Sequence, residues 1–387
     1  MVRVGALSLL LVLPVSFSGL SGASDETKTL RGSGFPFEDR SSGSPATNIV
    51  ECKGRRGDGA LVNAVIQASE EGAEIKVFGT CVIEQPVILK QGRTYSGVNP
   101  SSSRFVQAKA ADLKHLLVSE GFVNNWSYTG RAVVLRDFGV DGNNDSNSSL
   151  TNGVVVRAWG STITNLRVQN LSGDGIVISN ESEDGTLLET SQVNGIVSEV
   201  RVYNVGGVGV HIVDGGNSVT DWAIINNWIG GAKRAGMKLE NSAGSIVEGN
   251  HIYDSGGPAI VVARAFGSSI SGNYIEISEK DFQSSVAVGI EVSVQSGMGS
   301  TVIGNRLING VEGQRAGCSF FRFIQTPGLG AVVFSANLIQ SVVRSECVGV
   351  VAHGGLGELM LYSSGNAFLG LKGAILDFGD VSVVGGE

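Results

Sequence analysis

The sequence predicts an all-β protein, a single-stranded parallel β-helix (a solenoid of stacked coils) with a short N-terminal capping helix. Three observations lead to this prediction. Similar units recur from residue 163 onward, apolar residues within them alternate with a period of two, and 56 of the 387 residues are glycines that mark frequent turns. Repeats of this length indicate a solenoid. The period of two excludes α-helices as the repeated element.

Each unit consists of a first strand, a loop of variable length and a second strand. Several first strands begin ITNLRVQN (163–170), VSEVRVYN (197–204), IVEGNHIY (246–253), ISGNYIEI (270–277) and VIGNRLIN (302–309), and second strands include GDGIVIS, GVGVHIVD, AGMKLEN, GPAIVVAR and VGIEVSV. Loops of different length leave the stack intact when they emerge from its surface. Successive coils of such a stack lie about 4.8 Å apart.

An asparagine recurs at the turn of five units, at Asn250, Asn273, Asn305, Asn337 and Asn366. The first interval is 23 residues and the next two are 32 residues each. Equivalent asparagines on stacked coils can hydrogen-bond to one another as a ladder. The spacing therefore predicts an asparagine ladder along one corner of the solenoid.

Residues 57–72 (GDGALVNAVIQASEEG) form the predicted capping helix. Asp58 is the expected N-cap, and Gly72 is the expected C-terminal stop. Leu61, Val62, Val65, Ile66 and Ala68 make up the apolar stripe. A helix at this place would cover the open end of the stack, where strand groups are otherwise unpaired.

The four cysteines fall into two pairs. Cys318 and Cys347 open consecutive second strands, so stacking would bring them within reach of a disulfide. Cys52 and Cys81 would then pair near the N-terminus. An even number of cysteines in an exported chain favours disulfides over free thiols.

The N-terminal residues carry the features of an export signal. We expect a signal peptide over 1–23, a flexible leader over 24–47, the β-helix domain over 48–380 and a C-terminal tail over 381–387. Arg3, an apolar run and a small-residue cleavage site are typical of a signal peptide. The expected location is therefore extracellular. Five glycosylation sequons would accept N-glycans in a eukaryotic host, at Asn125, Asn144, Asn147, Asn170 and Asn180.

Charge and hydropathy narrow the expected partners. The formal net charge is −8, so no general basic face for nucleic acid is expected. No later apolar run reaches the roughly 18 residues of a membrane span. The sequence does not predict the oligomeric state.

The N-terminal coils resemble a known family. The order of the helix, Val-Phe-Gly-Thr (77–80), Val-Ile-Leu (87–89) and Gly-Arg-Thr-Tyr-Ser-Gly (92–97) is similar to the first coils of the pectin-lyase-like superfamily. The Asp-Gly-Asn at 141–143 and the Gly-Asn coils agree with its pectate-lyase-like and rhamnogalacturonase- or epimerase-like branch. The resemblance implies a right-handed parallel β-helix and action on polysaccharides, although the fold also hosts non-catalytic proteins.

The catalytic motifs of the best-known members of this superfamily are absent. The paired aspartates and Gly-His-Gly of pectin hydrolases are missing, since Asp174 stands alone in GDGIVIS. The Asp-Pro-His-Glu of bacterial alginate epimerases is missing too. Catalytic residues must therefore be sought from the pattern of this chain itself.

Alternation along the second strands places chemically active side chains in an outward row. His211 and Lys238 are expected as neighbours on adjacent coils, with Glu240 one pleat along and Arg264 one coil further. For β-elimination from a uronate, Lys238 or His211 would be the base, and Arg264 would neutralise the carboxylate or aid the leaving group. Expected substrate-binding residues are Arg157, Asp174, Asp214, Arg234, His251 and Glu291.

Other roles for these groups stay open at this point. Glu240 and Glu291 could hold a Ca²⁺ ion or position sugar hydroxyls, and no other cofactor is expected. Asp174, Asp214 and Glu240 on successive coils could instead act as the paired carboxylates of a glycoside hydrolase or transglycosidase. A third alternative is a non-catalytic polysaccharide-binding or adhesion protein. In each case the expected partner is a polysaccharide, and for the lyase an anionic one.

Overall fold

The computed structural model describes residues 47–277, 288–310, 318–342, 346–355 and 357–385. Within these ranges the chain forms 36 strands, two short α-helices and one 3₁₀ turn. The expected signal peptide and most of the expected leader lie outside the described residues.

The N-terminal elements belong to the first coils. In chain order they are β1 (Thr47–Glu51), α1 (Asp58–Ala68), β2 (Glu74–Ile83), β3 (Val87–Leu89), β4 (Arg93–Ser96), β5 (Ser103–Gln107), β6 (His115–Ser119), α2 (Glu120–Val123), β7 (Val133–Arg136), β8 (Gly139–Asp141), a 3₁₀ turn (Asn144–Ser146), β9 (Asn152–Val156), β10 (Thr162–Thr164), β11 (Arg167–Leu171), β12 (Ile176–Ser179), β13 (Gln192–Val193), β14 (Ile196–Ser198), β15 (Arg201–Val205), β16 (Val208–Val213) and β17 (Val219–Thr220).

The remaining strands continue the same winding. They are β18 (Ala223–Ile225), β19 (Trp228–Ala232), β20 (Ala235–Leu239), β21 (Ile246–Glu248), β22 (His251–Tyr253), β23 (Ile260–Ala265), β24 (Ser269–Ser271), β25 (Tyr274–Ile277), β26 (Val288–Val294), β27 (Ser300–Ile303), β28 (Arg306–Asn309), β29 (Ser319–Gln325), β30 (Gly328–Ser335), β31 (Leu338–Ser341), β32 (Val348–His353), β33 (Gly357–Ser364), β34 (Ala367–Leu369), β35 (Gly373–Phe378) and β36 (Val381–Val384).

The strands stack into three sheets, which form the faces of the β-helix, and within each face the strands run parallel. Face A contains β1, the start of β2, β4, β7, β10, β14, β18, β21, β24, β27, β30, β33 and β36; face B contains the end of β2, β5, β8, β11, β15, β19, β22, β25, β28, β31 and β34; face C contains β3, β6, β9, β12, β16, β20, β23, β26, β29, β32 and β35. Each coil contributes one strand to each face, and neighbouring strands of a face are parallel. The predicted parallel β-helix is confirmed.

The core fills the interior with side chains from one side of every strand. On face C, Ile176, Val210, Met237, Ile260 and Ile290 are register partners on successive coils, and all five are fully buried. Their sequence neighbours point outward, as the period of two predicts. Burial of such a continuous apolar column is the main stabilising contribution in this fold.

The asparagine ladder is present and is longer than predicted. Asn250 donates from its backbone N–H and its side-chain Nδ2 to Oδ1 of Asn273, at 3.0 and 2.9 Å. The same pair of bonds joins Asn273 to Asn305, Asn305 to Asn337, and Asn337 to Asn366. Asn227 extends the ladder by one coil, because it donates to Asn250 in the same way. The ladder lies at the corner between faces A and B.

Both predicted disulfides are present, Cys52–Cys81 and Cys318–Cys347. Each joins neighbouring coils, which agrees with the register from which the second pair was inferred.

Three predicted boundaries differ from the structure. Helix α1 ends at Ala68 rather than near Gly72, and its N-cap is Gly57 rather than Asp58. The apolar stripe is also narrower, since Val62 and Ile66 are buried whereas Leu61 is 46% exposed. Residues 381–384 are not a tail, because they form β36 and pair with β33.

Candidate functional site

His211 and Lys238 are direct register partners on the outer side of face C, on β16 and β20. Both side chains are partly accessible, His211 at 14% and Lys238 at 37%. Val177 precedes them in the same outward row and Val261 follows. The predicted adjacency of the two residues is therefore present in the structure.

Asp174 joins this pair from the turn that leads into β12. Its Oδ2 lies 2.7 Å from Nδ1 of His211, and its Oδ1 accepts a 2.7 Å bond from the backbone N–H of Val208. Burial raises the pKa of the Asp174 carboxyl. The hydrogen bonds from His211 and Val208 outweigh that effect, so its pKa lies below the usual 3.8. The carboxylate can only accept, so Nδ1 of His211 carries a proton.

Glycines on both sides of Asp174 allow the backbone of its turn to come very close to the neighbouring coils. A Cβ at Gly173 would lie 2.3 Å from Oδ1 of Asn152, and one at Gly175 would lie 2.5 Å from the carbonyl of Gly209 on the next coil. Only glycine permits such a close approach. The turn can therefore fold tightly against the neighbouring coils, and it holds Asp174 over His211.

Glu240 contacts both His211 and Lys238. Its Oε1 accepts a 2.5 Å bond from Nζ of Lys238 and lies 3.3 Å from Nε2 of His211. Burial raises the pKa of the Glu240 carboxyl, but the hydrogen bond from Lys238 and the nearby positive charges outweigh it and lower the pKa below 4.5. Asp174, His211, Glu240 and Lys238 thus form one connected chain, which we call the face C cluster.

An apolar patch borders the face C cluster on its N-terminal side. Val118, Phe122, Val155 and Val177 pack together on the outside of face C beneath α2. Val177 is the register partner of His211, so the imidazole lies between an apolar surface and charged groups. The sequence analysis missed this patch. Its signal was a run of outward apolar residues on consecutive second strands.

Arg264 does not join the cluster as expected. The register between β23 and β26 shifts between Val262 and Ala265, and the Nε of Arg264 donates to Oε1 of Gln295. The side chain is therefore held toward the following coil. A β-bulge of this kind redirects a side chain in a way that simple alternation does not predict.

Asp214 is fully buried, which contradicts its expected role as an accessible substrate-binding residue or catalytic carboxylate. Its carboxylate accepts hydrogen bonds from Nδ2 of Asn180 and from the backbone N–H groups of Ser218 and Val219. Burial raises its pKa despite these bonds. Asp214 stabilises the turn that follows β16.

Arg157 is also buried, with 2% of its surface exposed, and so does not present its guanidinium to a ligand. It donates to the carbonyl of Gly121 and to the hydroxyl of Ser182, and burial lowers its pKa. Arg157 fastens α2 and the loop after β12 to face C.

Of the other expected binding residues, Arg234 lies near the face C cluster, whereas Glu291 and His251 lie further from it. Arg234 is exposed in the turn before β20, and its charge helps to lower the pKa of Asp174. Glu291 lies beyond Val261 in the outward row, and its Oε2 is 3.1 Å from Nη1 of Arg322. His251 lies on face B, away from face C.

A metal site is not apparent in the parts of the chain that the structure describes, where no group of three or more His, Cys, Asp or Glu side chains could hold an ion. Glu240 and Glu291, the expected Ca²⁺ ligands, are each bound to a cationic side chain and lie on coils that are separated by the coil of β23. The Asp174–His211–Glu240–Lys238 chain fits proton transfer better than metal binding.

Comparison with known proteins supports the fold. Residues 140–322 match the family model described as the right-handed β-helix region. The chain is a right-handed parallel β-helix protein. This agrees with the fold that the resemblance of the sequence implied.

Three solved structures illustrate the similarity. The A-module of a mannuronan C-5 epimerase from Azotobacter vinelandii has 14% identity and a TM-score of 0.56, over 86% of this chain and 97% of that one. A tailspike of an Acinetobacter phage has 11% identity and a TM-score of 0.60, over 87% and 62%. A family 28 exopolygalacturonase from Yersinia enterocolitica has 11% identity and a TM-score of 0.54, over 88% and 78%. At these identities the likeness shows the fold alone.

A search of curated protein sequences gives no match. Within the described ranges, no helix has both the length and the apolar composition needed to cross a bilayer.

Proposed function

We propose that the protein is an enzyme that removes the C5 proton of a uronate unit in an acidic polysaccharide and cleaves the chain by β-elimination. The observation that carries this proposal is the 2.7 Å contact between Asp174 and His211 beside the ammonium group of Lys238. A held imidazole next to a cation supplies two of the three groups that the reaction requires.

His211 acts as the general base. Asp174 accepts a hydrogen bond from the Nδ1–H group and so fixes the imidazole in the tautomer whose Nε2 is unprotonated and can take a proton, as the carboxylate does in other histidine-based sites. Once Nε2 is protonated, Oε1 of Glu240 at 3.3 Å accepts from it. The two flanking carboxylates therefore stabilise the imidazolium that forms.

Lys238 neutralises the uronate carboxylate. Its Nζ already binds a carboxylate, that of Glu240, with 37% of the side chain accessible. A substrate carboxylate in the groove replaces or shares this contact. The neutralised carboxylate acidifies the adjacent C5–H, since charge that develops on deprotonation is then stabilised.

The step balances without a further reactant. The C5–H bond breaks, its electron pair forms the C4–C5 double bond, and the C4–O bond breaks with its electrons on the leaving oxygen. The imidazolium of His211 returns the proton to that oxygen. Delivery of a proton from solvent to the opposite face of C5 would instead give an epimer, and the imidazolium would then lose its proton to solvent, so both outcomes share the same first step.

Hydrolysis by paired carboxylates fits this site less well. A glycosidase needs one carboxyl group with a raised pKa as its general acid. The pKa values of Asp174 and Glu240 are both lowered. Asp214 has a raised pKa, but it is fully buried in a hydrogen-bonded turn.

The test is turnover of polygalacturonate, alginate and chondroitin sulfate, followed by absorbance of the unsaturated product and by deuterium incorporation at C5 in D₂O. We expect absorbance with one of these substrates, and a loss of about 10²–10⁴-fold in kcat for His211→Asn, the usual contribution of a general base. His353→Asn, on β32 of the same face, is the matched control and should keep full activity.

Two outcomes would contradict the proposal. New reducing ends without absorbance or deuterium incorporation would indicate hydrolysis. Binding of a polysaccharide with no turnover of any of the three would favour a non-catalytic adhesion protein.

A further inference from the structure

A second row of side chains, on face B, is separate from the face C cluster. Arg167, Arg201, Trp228, His251, Tyr274 and Arg306 are register partners in that order on consecutive strands from β11 to β28. We call these six residues the face B row. All six point outward, because the residues that follow each of them belong to the buried core.

The centre of the face B row is a continuous aromatic surface. The ring centroids of Trp228 and His251 are 4.2 Å apart, and those of His251 and Tyr274 are 4.7 Å apart. Trp228 is 45% exposed. An exposed tryptophan offers an apolar face for the C–H side of a sugar ring.

Tyr253 widens this surface in the adjacent row. Its ring lies 6.1 Å from that of Trp228 and spreads over Gly230, where a Cβ would be 2.3 Å from the Cζ of the tyrosine. Gly230 therefore provides the space that Tyr253 occupies. The carboxylate of Glu276, 47% exposed beside Tyr253, adds an acceptor for sugar hydroxyls.

Both ends of the face B row carry arginines that form no salt bridge with any residue the structure describes. Arg167 and Arg201 are register partners, and no salt bridge involves either of them among the described residues. By contrast, Arg104 earlier on face B is paired with Asp141 at 2.9 Å. Like charges directly opposite in a sheet repel one another. The Nε of Arg167 is moreover buried without a hydrogen-bond partner in the described structure.

At the other end, the guanidinium of Arg306 lies 5.3 Å from the ring centroid of Tyr274, in a cation–π contact that leaves its N–H groups available. The row is thus cationic, then aromatic, then cationic. An anionic ligand would relieve the repulsion at one end and bind the guanidinium at the other.

We propose that the face B row is a second binding surface, which holds a strand of acidic polysaccharide along the axis of the β-helix. Pyranose rings stack on Trp228 and Tyr274, and uronate carboxylates bind Arg201 and Arg306. This surface adds a function to the proposed reaction and does not depend on it. It would keep the protein on an insoluble or long polymer.

The dimensions select a polymer over a single sugar. From Arg167 to Arg306 the row takes five steps of about 4.8 Å, or about 24 Å in all. Each step is comparable to the length of one pyranose, so an extended chain can meet successive side chains in register. A nucleic acid carries the same sign of charge and is the competing occupant, so the binding test includes one.

The test is binding of polygalacturonate and alginate by calorimetry, with dextran as the neutral polymer and oligo(dT) as the nucleic acid. It uses the full chain carrying His211→Asn and Lys238→Met, so that turnover and face C binding are removed. We expect this chain to bind one of the acidic polymers but not dextran. We expect Trp228→Ala to raise Kd about tenfold, the effect of losing one stacked ring.

Arg201→Ser should also raise Kd and reduce the dependence of binding on salt, since it removes one charge contact. The matched controls are Trp159→Ala, another exposed tryptophan in the turn between faces C and A, and Arg55→Ser, an exposed arginine near α1. Both should bind like the parent.

Three results would overturn the proposal. They are no binding of either acidic polymer once face C is disabled, an unchanged Kd in Trp228→Ala, or tighter binding of oligo(dT) than of both acidic polymers.

Discussion

Faces B and C are built from the same coils but organise their polar groups in opposite ways. On face C every charged group of the cluster is paired within the protein, from Asp174 through His211 and Glu240 to Lys238. On face B, Arg167 and Arg201 have no acidic partner among the described residues, and they precede a row of exposed rings. Internal pairing fixes the orientation and protonation of groups that transfer protons. Unpaired charges and exposed rings are suited to a ligand that supplies the missing contacts.

The largest expected effect comes from breaking the scaffold that the two faces share. Asn273→Ala would leave the backbone N–H of Asn250 and the carbonyl of Val247 without their buried partners. Each unsatisfied buried group costs about 1–3 kcal/mol. We expect a loss of about 3 kcal/mol or more in the free energy of unfolding, measured by denaturant titration.

Asn194→Gly is the control for this change. Asn194 is exposed and has a φ of 59°, which glycine adopts without strain. It should leave stability within a few tenths of a kcal/mol of the wild type. If Asn273→Ala were equally harmless, the ladder would not be what holds the two faces in register.

The next largest effect is expected on the reaction at face C, with binding at face B unchanged. Asp174→Asn keeps the shape of the side chain but replaces a carboxylate, which can only accept, with an amide that can also donate to Nδ1, so the tautomer of His211 is no longer fixed. We expect kcat to fall by about 10²-fold or more, by analogy with other carboxylate–histidine pairs. KM should change little, and binding by face B should be unaffected. Equal losses in kcat and in face B binding would show that the variant disturbs the fold instead.

A smaller effect is expected on the pH dependence of Tm, and it depends on the ion pair between Glu240 and Lys238. The pKa of Glu240 is lowered below 4.5 in the folded protein, so its contribution to stability is present above pH 4.5 and is lost as the pH falls through the folded pKa. The Tm difference between the wild type and Glu240→Gln should therefore be constant from pH 7 to about 5 and shrink below that.

Glu358→Gln is the comparison for that experiment, because Glu358 is exposed on face A, outside the cluster. Its Tm difference from the wild type should stay near zero throughout. A difference for Glu240→Gln that grows on acidification would mean that the carboxyl is not held ionised by Lys238.

The smallest effect concerns face B alone. In Gly230→Ala the new methyl group would displace the ring of Tyr253, which lies 2.3 Å from the position of the added atom. We expect face B to bind acidic polymer about two- to fivefold more weakly, the equivalent of about 0.5–1 kcal/mol. Turnover of short soluble oligomers on face C should be unchanged. A drop in that turnover would place Tyr253 in the reaction instead.

The fold was predictable because the alternation of apolar residues with a period of two and the asparagine at the turn recur in units whose loops differ in length. The same register placed His211 next to Lys238 and Cys318 next to Cys347 before any coordinates. Asn227 was missed, although the interval from it to Asn250 is 23 residues, the same as the interval from Asn250 to Asn273.

Residues at turns and irregularities were not predictable from alternation. Asp174 reaches His211 only because two glycines let its turn pack tightly, and Arg264 is diverted by a bulge. Arg157 does lie on the outward side, but α2 and a loop cover it. Alternation predicts the direction in which a strand residue points. It carries no information about which loop from another coil folds over that residue.

The ladder also makes each turn of the chain an interchangeable module. Asn227 and Asn250 are 23 residues apart and make identical bonds to the coil that follows. Excision of the segment between them would let Asn227 donate to Asn273 as Asn250 now does, while the segment would take Trp228 and Lys238 with it. Duplication of such a segment would lengthen both surfaces by one sugar-sized increment. Insertion or deletion of a whole coil therefore changes the length of the face B row and the length of face C together.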